Sequence, residues 1–309
     1  MTRSYSIGTR GSELALWQAN WVKSKLAILS PESIFEIKVI ETTGDQILDV
    51  ALSKIGDKGL FTRQIETELI DGRIDLAVHS LKDLQTVQPD GLVIGAMCER
   101  DIPNDAFVSQ LFHSVDELPR GARVATGSLR RKSQLLNYRP DLEIVDIRGN
   151  VPTRLAKFAD SDLDGLVLAY AGLSRLGYRE KIRQTIPFDV MLPAPGQGSI
   201  AVEARSDDDF AMTLCGRLDD ASTRLCIMAE RSFLRHLEGG CQVPIGAIAT
   251  LRHRTVHLEG MVGSLDGVTV LREHLECDIS ESDSLGVRLA ESLIEKGAAD
   301  LLATNREQI

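Results

Sequence analysis

Along the first 200 residues the spacing of apolar positions switches repeatedly between two periods. Tyr5–Thr9 reads as a short strand, and Ser12 is placed to cap a helix in which Leu14, Trp17, Trp21 and Leu26 approximate helical spacing. Phe35, Ile37 and Val39 alternate with charged residues, as in a strand. Phe61, Ile65 and Leu69 recur every fourth residue, which predicts a helix over Leu60–Ile70 ended by Asp71-Gly72. Buried strands are expected at Ile74–Val78 and Val93–Met97. The pattern restarts after residue 105. Strands at Arg123–Thr126, Leu142–Ile147 and Leu166–Tyr170 alternate with helices at Ser128–Leu136 and Pro152–Phe158. This alternation predicts α/β architecture, with parallel sheets and flanking helices.

The last third reads differently. Ser222–Leu237 is a helix closed by Gly239-Gly240. Ala247–Leu251, Val256–Met261 and Thr269–Leu275 follow as an antiparallel meander with a turn at Ser264–Gly267. Leu285–Glu295 is a final helix ended by Gly297. A small α+β domain is expected there. In each α/β half a strand runs through small residues into a helix N-terminus, at Gly8–Ser12 and at Ala125–Ser128. Free backbone N–H groups at such turns favour an anion. Two such domains facing each other predict an anion-lined cleft.

Composition narrows the reading. With 43% hydrophobic and 26% charged residues the chain has an ordinary globular balance. Mean hydropathy is −0.05, and no apolar run approaches the roughly 20 residues a membrane helix needs. The N-terminus leaves no room for a signal peptide's apolar stretch, so a soluble cytoplasmic protein with no membrane attachment is expected. Five cysteines, Cys98, Cys215, Cys226, Cys241 and Cys277, contain no C-x-x-C pair. That excludes a disulfide scaffold and argues against structural zinc; no metal is expected. The net charge of −10 is unevenly spread: −3 over residues 1–100, +1 over 101–199 and −8 after that. An acidic chain is a poor nucleic-acid binder. The middle third nevertheless holds 13 basic groups, ten of them Arg, whose forks recognise carboxylates or phosphates in pairs of hydrogen bonds. A small polyanionic ligand is the expected partner.

Candidate chemistry concentrates in a few places. Cys241 follows two glycines and precedes Pro244 in a loop, whereas the other cysteines sit among apolar neighbours; the loop sets Cys241 apart from inert buried thiols. Asp83 lies just past the strand Ile74–Val78, where open α/β sheets place ligand chemistry, but Asp83 beside Lys82 equally fits a solvated charge pair. His79 fits a hydrogen-bonded histidine at a strand end. Arg10, Arg130, Arg131 and Arg148 all fall just after expected strands, on one edge of their sheets; Arg154 and Arg175 complete the set. The segment Leu48–Gly59, with Lys54 and Lys58, reads as a lid or surface loop. Pro193–Gly198 reads as a hinge or a turn. Two function classes remain open on this basis. One is an enzyme using Asp83 and Cys241. The other is a cytoplasmic small-anion-binding or ligand-sensing module of the solute-binding-protein type. The loop cysteine favours the enzyme.

The motifs together resemble the porphobilinogen deaminase, or hydroxymethylbilane synthase, family. The matching segments are Ile7–Ala19 (IGTRGSELALWQA), Gly56–Phe61 (GDKGLF), Asp75–Asp83 (DLAVHSLKD), Ser128–Arg131 (SLRR), Arg148–Asn150 (RGN), Gly196–Gly198 (GQG) and Glu238–Gly246 (EGGCQVPIG), in the family's order. The resemblance implies two periplasmic-binding-protein-like α/β lobes around a cleft, residues 1–100 with 199–218 and 101–198, plus a C-terminal α+β domain over 219–309. It implies a monomeric, cytoplasmic transferase of porphyrin biosynthesis. Such an enzyme condenses four porphobilinogen molecules head to tail, releases four ammonias and yields hydroxymethylbilane.

The resemblance also implies a dipyrromethane cofactor joined by a thioether to Cys241, which suits a thiolate trapping an electrophilic methylene. Asp83 matches the catalytic aspartate, whose carboxylate stabilises the cation left by ammonia and helps move protons. Lys82, Ser128, Arg130, Arg131 and Arg148 match residues holding the cofactor's acetate and propionate groups. Arg10, Ser12, Arg154 and Arg175 match binders of the substrate's carboxylates, with Gln197 near the hinge and Lys54 and Lys58 in the loop over the site. The chain departs from the family pattern at Gln85, Gly127 and Pro152; the last is tolerable as a first helical residue.

Overall fold

The computed structural model describes residues 3–46, 59–237 and 243–308. In chain order the elements are β1 (Ser4–Thr9), α1 (Glu13–Leu29), β2 (Ile34–Val39), α2 (Thr43–Gln46), α3 (Arg63–Ile70), β3 (Leu76–Ser80), β4 (Leu92–Met97), β5 (Asp105–Val108), β6 (Arg123–Ala125), α4 (Leu129–Tyr138), β7 (Glu143–Val145), α5 (Val151–Ala159), β8 (Gly165–Ala169), α6 (Tyr170–Arg175), β9 (Ile182–Thr185), β10 (Ile200–Arg205), α7 (Asp209–Leu218), α8 (Ala221–His236), β11 (Ile245–Arg252), β12 (Thr255–Gly263), β13 (Val270–Asp278), α9 (Ser282–Glu295) and α10 (Ala298–Gln308). They divide between two compact units. The first takes described residues 3–46, 59–101 and 198–224; the second takes 102–197 and 225–308.

The first unit is built on a five-stranded sheet in the order β2-β1-β3-β10-β4. β1 pairs in parallel with β2 and β3, while β10 runs antiparallel to both β3 and β4. Its strands carry apolar side chains on the covered faces. Ile7, Val22, Leu26, Leu76 and Val202 join sheet and helices in one core cluster. Ser12 ends the strand-to-helix turn with its hydroxyl accepting from the Ala15 N–H at 3.4 Å, a cap typically worth about 1 kcal/mol.

The second unit contains a sheet of the same design, β7-β6-β8-β5-β9, again with one strand, β5, antiparallel to its two neighbours. Its core is filled by Phe107, Val124, Leu135 and Val167. The same unit holds the antiparallel sheet β11-β12-β13, packed on helices through Phe233, Leu258, Leu289 and Leu293. The mixed α/β class expected from the sequence holds, but neither large sheet is purely parallel. In each, the antiparallel strand arrives from outside the local strand–helix–strand run. Alternation along the chain gives no sign of such an insertion.

Candidate active site

In the first unit the chemistry gathers at the ends of β1 and β3. β1 leads into Arg10, Gly11 and Ser12. β3 ends at Ser80 and passes into a single 3₁₀ turn, Leu81–Asp83. That turn buries Leu81 and leaves Asp83 exposed, because one apolar anchor fixes three residues of tight helix. Asp83 lines a pocket with Arg10, Ser12, Gln18, Phe61 and His79. The Arg10 guanidinium lies 4.1 Å from the centre of the Phe61 ring, a cation–π contact that holds the arginine at the pocket. Gln18 Nε2 donates to Ser80 Oγ at 2.9 Å and ties α1 to the end of β3. Lys82 is half-buried on the same turn.

Behind this pocket lies a group of ionisable side chains that the sequence reading did not assemble. His79 on β3, Glu203 on β10 and Glu66 on α3 are each at most 5% exposed. His79 Nε2 is 3.3 Å from Glu203 Oε2. Nε2 of His79, both carboxylate oxygens of Glu203 and Oε1 of Glu66 have no hydrogen-bond partner among the described residues. Burial pushes the Glu66 carboxyl up, and the nearby Glu203 charge acts in the same direction.

In the second unit the arginines divide into two kinds. Arg130 and Arg131, in the first turn of α4, are buried and converge on Asp105 at the start of β5. Arg130 Nη1 donates to Asp105 Oδ2 at 2.6 Å, and Arg131 Nε and Nη2 donate to Oδ1 at 3.0 and 2.8 Å. Gln197 Nε2 donates to the same Oδ1 at 2.9 Å and to the Pro103 carbonyl at 2.7 Å. Burial alone would push the Asp105 carboxyl up. The two guanidiniums outweigh it and hold that group well below the usual carboxylate range. Burial in turn pulls the Arg130 guanidinium down, opposed by the Asp105 charge.

Arg148 is of the second kind. It lies in a turn made possible by Gly149, whose φ of +121° disfavours any side chain. Asn150 then caps α5 by accepting from the Thr153 N–H at 2.9 Å. Arg148 Nε is buried without a hydrogen-bond partner among the described residues, 3.6 Å from a half-exposed Asp146 carboxylate. Arg154 in the first turn of α5 and Arg175 at the end of α6 are half-buried. Ser128 occupies the N-cap position of α4, yet its hydroxyl does not cap the helix. Gly127 before it is confined: an added Cβ would lie 2.9 Å from the Ile147 carbonyl oxygen.

Asp105 is the organising residue that sequence reasoning missed. The available signal was an acidic residue opening a short apolar run, Ala106-Phe107-Val108, where acidic residues are depleted unless paired. Cys241, Lys54 and Lys58 lie outside the described residues. The other four cysteines are buried. No helix among the described residues is long and apolar enough to cross a membrane.

Residues 5–213 match the family described as porphobilinogen deaminase, dipyromethane cofactor binding domain, and residues 224–295 match the porphobilinogen deaminase C-terminal domain. The chain is 52% identical over 302 residues to the porphobilinogen deaminase of Carboxydothermus hydrogenoformans, covering 98% of this chain and 97% of that one. It is 52% identical over 308 residues to that of Pelotomaculum thermopropionicum, with 100% and 99% covered. A solved methionine-binding protein, MetQ, gives a TM-score of 0.45 at 14% identity, covering 71% of this chain and 91% of its own, and that likeness says nothing of ligands. Both segments match domains of one family, and identity to proteins of that name runs end to end: the chain belongs to the porphobilinogen deaminase family.

Proposed function

We infer that this chain is a deaminating transferase that joins four porphobilinogen molecules head to tail, releases four ammonias and frees the linear tetrapyrrole hydroxymethylbilane. The observation that carries the reading is Asp83, an exposed carboxylate at the end of β3 in a pocket shared with Arg10 and Ser12. Loss of ammonia from porphobilinogen leaves a cationic methylene-pyrrole. A carboxylate fixed on a short turn stabilises that developing charge and accepts pyrrole N–H groups. Arg10, Ser12, Arg154 and Arg175 are assigned to the substrate's carboxylates. Lys54 and Lys58 belong to the same assignment. The alternative, a ligand-sensing module, is not favoured by membership of a deaminase family.

The family's dipyrromethane is assigned to a thioether on Cys241. The donor set suits such a group: an orphaned, buried Arg148 Nε and an uncapped Ser128 hydroxyl both offer hydrogen bonds to anionic substituents. Lys82, Ser128, Arg130, Arg131 and Arg148 hold its carboxylates, with Asp105 and Gln197 presetting the two neighbouring guanidiniums. When bound, the group supplies the pyrrole α-carbon on which the chain is built. We also propose the three-domain division, a monomer, a cytoplasmic location and no nucleic-acid partner; the acidic balance of the chain supports the last.

The test is to incubate the purified protein with porphobilinogen and measure ammonia and linear tetrapyrrole together, with intact-protein mass recorded beforehand. Four ammonias per product and a two-pyrrole adduct that maps to Cys241 support the reading. An unmodified protein that binds porphobilinogen without turnover sinks it.

A further inference from the structure

Glu66, His79 and Glu203 come from three elements of the first unit, α3, β3 and β10, and meet behind the Asp83 pocket. All three are at most 5% exposed, and four of their polar atoms have no hydrogen-bond partner among the described residues. Each orphaned buried group is costly, and native proteins rarely keep several together without a use for them. Two buried carboxylates sharing one site do not both ionise readily. Burial and the Glu203 charge favour the neutral form of Glu66, against an opposing hydrogen bond from Thr62. His79 separates the two environments: its Nε2 faces Glu203, and it also lines the pocket that holds Asp83 and Arg10. The other charged groups around the cluster are Arg63, three residues before Glu66 on α3, and Arg10 and Asp83 in the pocket.

We propose that Glu66, His79 and Glu203 form a single proton-sharing relay that receives, through His79, the proton shed when each pyrrole is joined. This rests on the transferase reading above. In each coupling a C–C bond forms between the methylene carbon of the incoming unit and the α-carbon of the terminal pyrrole, and the α-carbon's C–H bond breaks. The C–N bond of the incoming unit has already broken, its electron pair leaving with ammonia. The α-proton passes to His79 and is shared with the two carboxylates. It then returns through the pocket to the released ammonia, which departs as ammonium. Protons balance, and no oxidant or second substrate is needed. Glu66 and Glu203 act through His79 and are positioning residues.

The experiment uses the holoenzyme and its Glu66→Gln and Glu203→Gln variants. Infrared spectroscopy at neutral pH should show the carbonyl stretch of a buried protonated carboxylic acid, lost in Glu66→Gln. With porphobilinogen, kcat should fall by roughly 10²-fold in both variants, the scale of a lost acid–base group, and the solvent deuterium isotope effect on kcat should change. KM should stay within about twofold, since neither carboxylate touches substrate. A purely structural cluster would lower Tm and leave the isotope effect alone. If Glu203→Gln does not fold, His79→Gln replaces it, and the wild-type infrared band decides independently of any variant. A wild type without that band, or variants with wild-type kcat and isotope effect, overturns the relay. A wild type that shows the band but never turns over porphobilinogen removes the transferase reading, and the relay's function with it.

Discussion

Replacing Asp105 by asparagine isolates the electrostatic anchor of the second unit. The change keeps the volume of the side chain and removes its charge. In the native protein the carboxylate receives Arg130 Nη1 at 2.6 Å, Arg131 Nε and Nη2 at 3.0 and 2.8 Å, and Gln197 Nε2 at 2.9 Å. Both arginines are 5% exposed, and beyond Asp105 they donate to the neutral carbonyls of Leu192 and Val167. The amide would leave two buried cations without the counter-charge Asp105 supplies and turn its own N–H₂ group toward donors. Removing one partner from a buried ion pair costs about 3–5 kcal/mol. At roughly 2–4 °C per kcal/mol for a body of this size, Tm should fall by about 6–20 °C. The pH dependence has a definite sign. The Asp105 carboxyl is depressed in the folded state, so its contribution is fully present above the ordinary carboxylate value of about 3.9 and is lost only as pH falls below that range. Thermal unfolding followed by circular dichroism between neutral pH and pH 3 reads both effects. The wild type should lose stability over the acid limb more steeply than Asp105→Asn. A variant within about 1 kcal/mol of wild type would refute the reasoning, because no buried, charge-dependent anchor would then exist.

Three further outcomes follow from the site. Asp83→Asn, with cofactor already attached, should lose about 10²–10³-fold in kcat while Asp83→Glu retains slow turnover; an Asn variant releasing ammonia at near wild-type rate returns Asp83 to a solvated partner of Lys82. Arg148→Leu should weaken cofactor loading by roughly 1.5–3 kcal/mol with little change in Tm, since its Nε has no hydrogen bond to lose among the described residues, and normal loading in the mass spectrum would contradict its role. Cys215, whose thiol burial pushes up to about 12, should resist iodoacetamide at pH 8 until the protein is unfolded; labelling of the native protein at that position would show the core to be open there.

Much of the fold was legible because period and burial agree. The strand Tyr5–Thr9, the helix capped by Ser12 and the helix Pro152–Phe158 fall within a residue or so of β1, α1 and α5, since caps and apolar spacing are local properties. β5 and β9 were not legible. Each is only four residues long, and β5 opens with a charged residue whose partners lie more than twenty positions away. Asp83 and Arg148 were found because a strand end marks them. Asp105, Glu66 and Glu203 were not, because a buried charge is defined by what surrounds it in space, and that neighbourhood is assembled from distant segments. Arg130 and Arg131 show the limit from the other side. Their position after a strand was visible, but their commitment to Asp105 was not.

The insertion of β10 between β3 and β4 has a consequence for how the protein is made. β4 ends at Met97, but the strand that covers its edge begins only at Ile200. At about 5–20 residues per second, a ribosome needs roughly 5–20 s to add the hundred residues in between. During that interval β3 and β4 present unpaired edges, the feature that natural proteins otherwise take care to cover. The sheet of β5–β9 has no such delay, since all its strands lie within residues 105–185. The later-synthesised sheet can therefore close before the earlier one. A chain cut short anywhere between residues 98 and 200 would leave a first lobe with both of those edges open, a target for chaperones and proteases rather than a half-active enzyme.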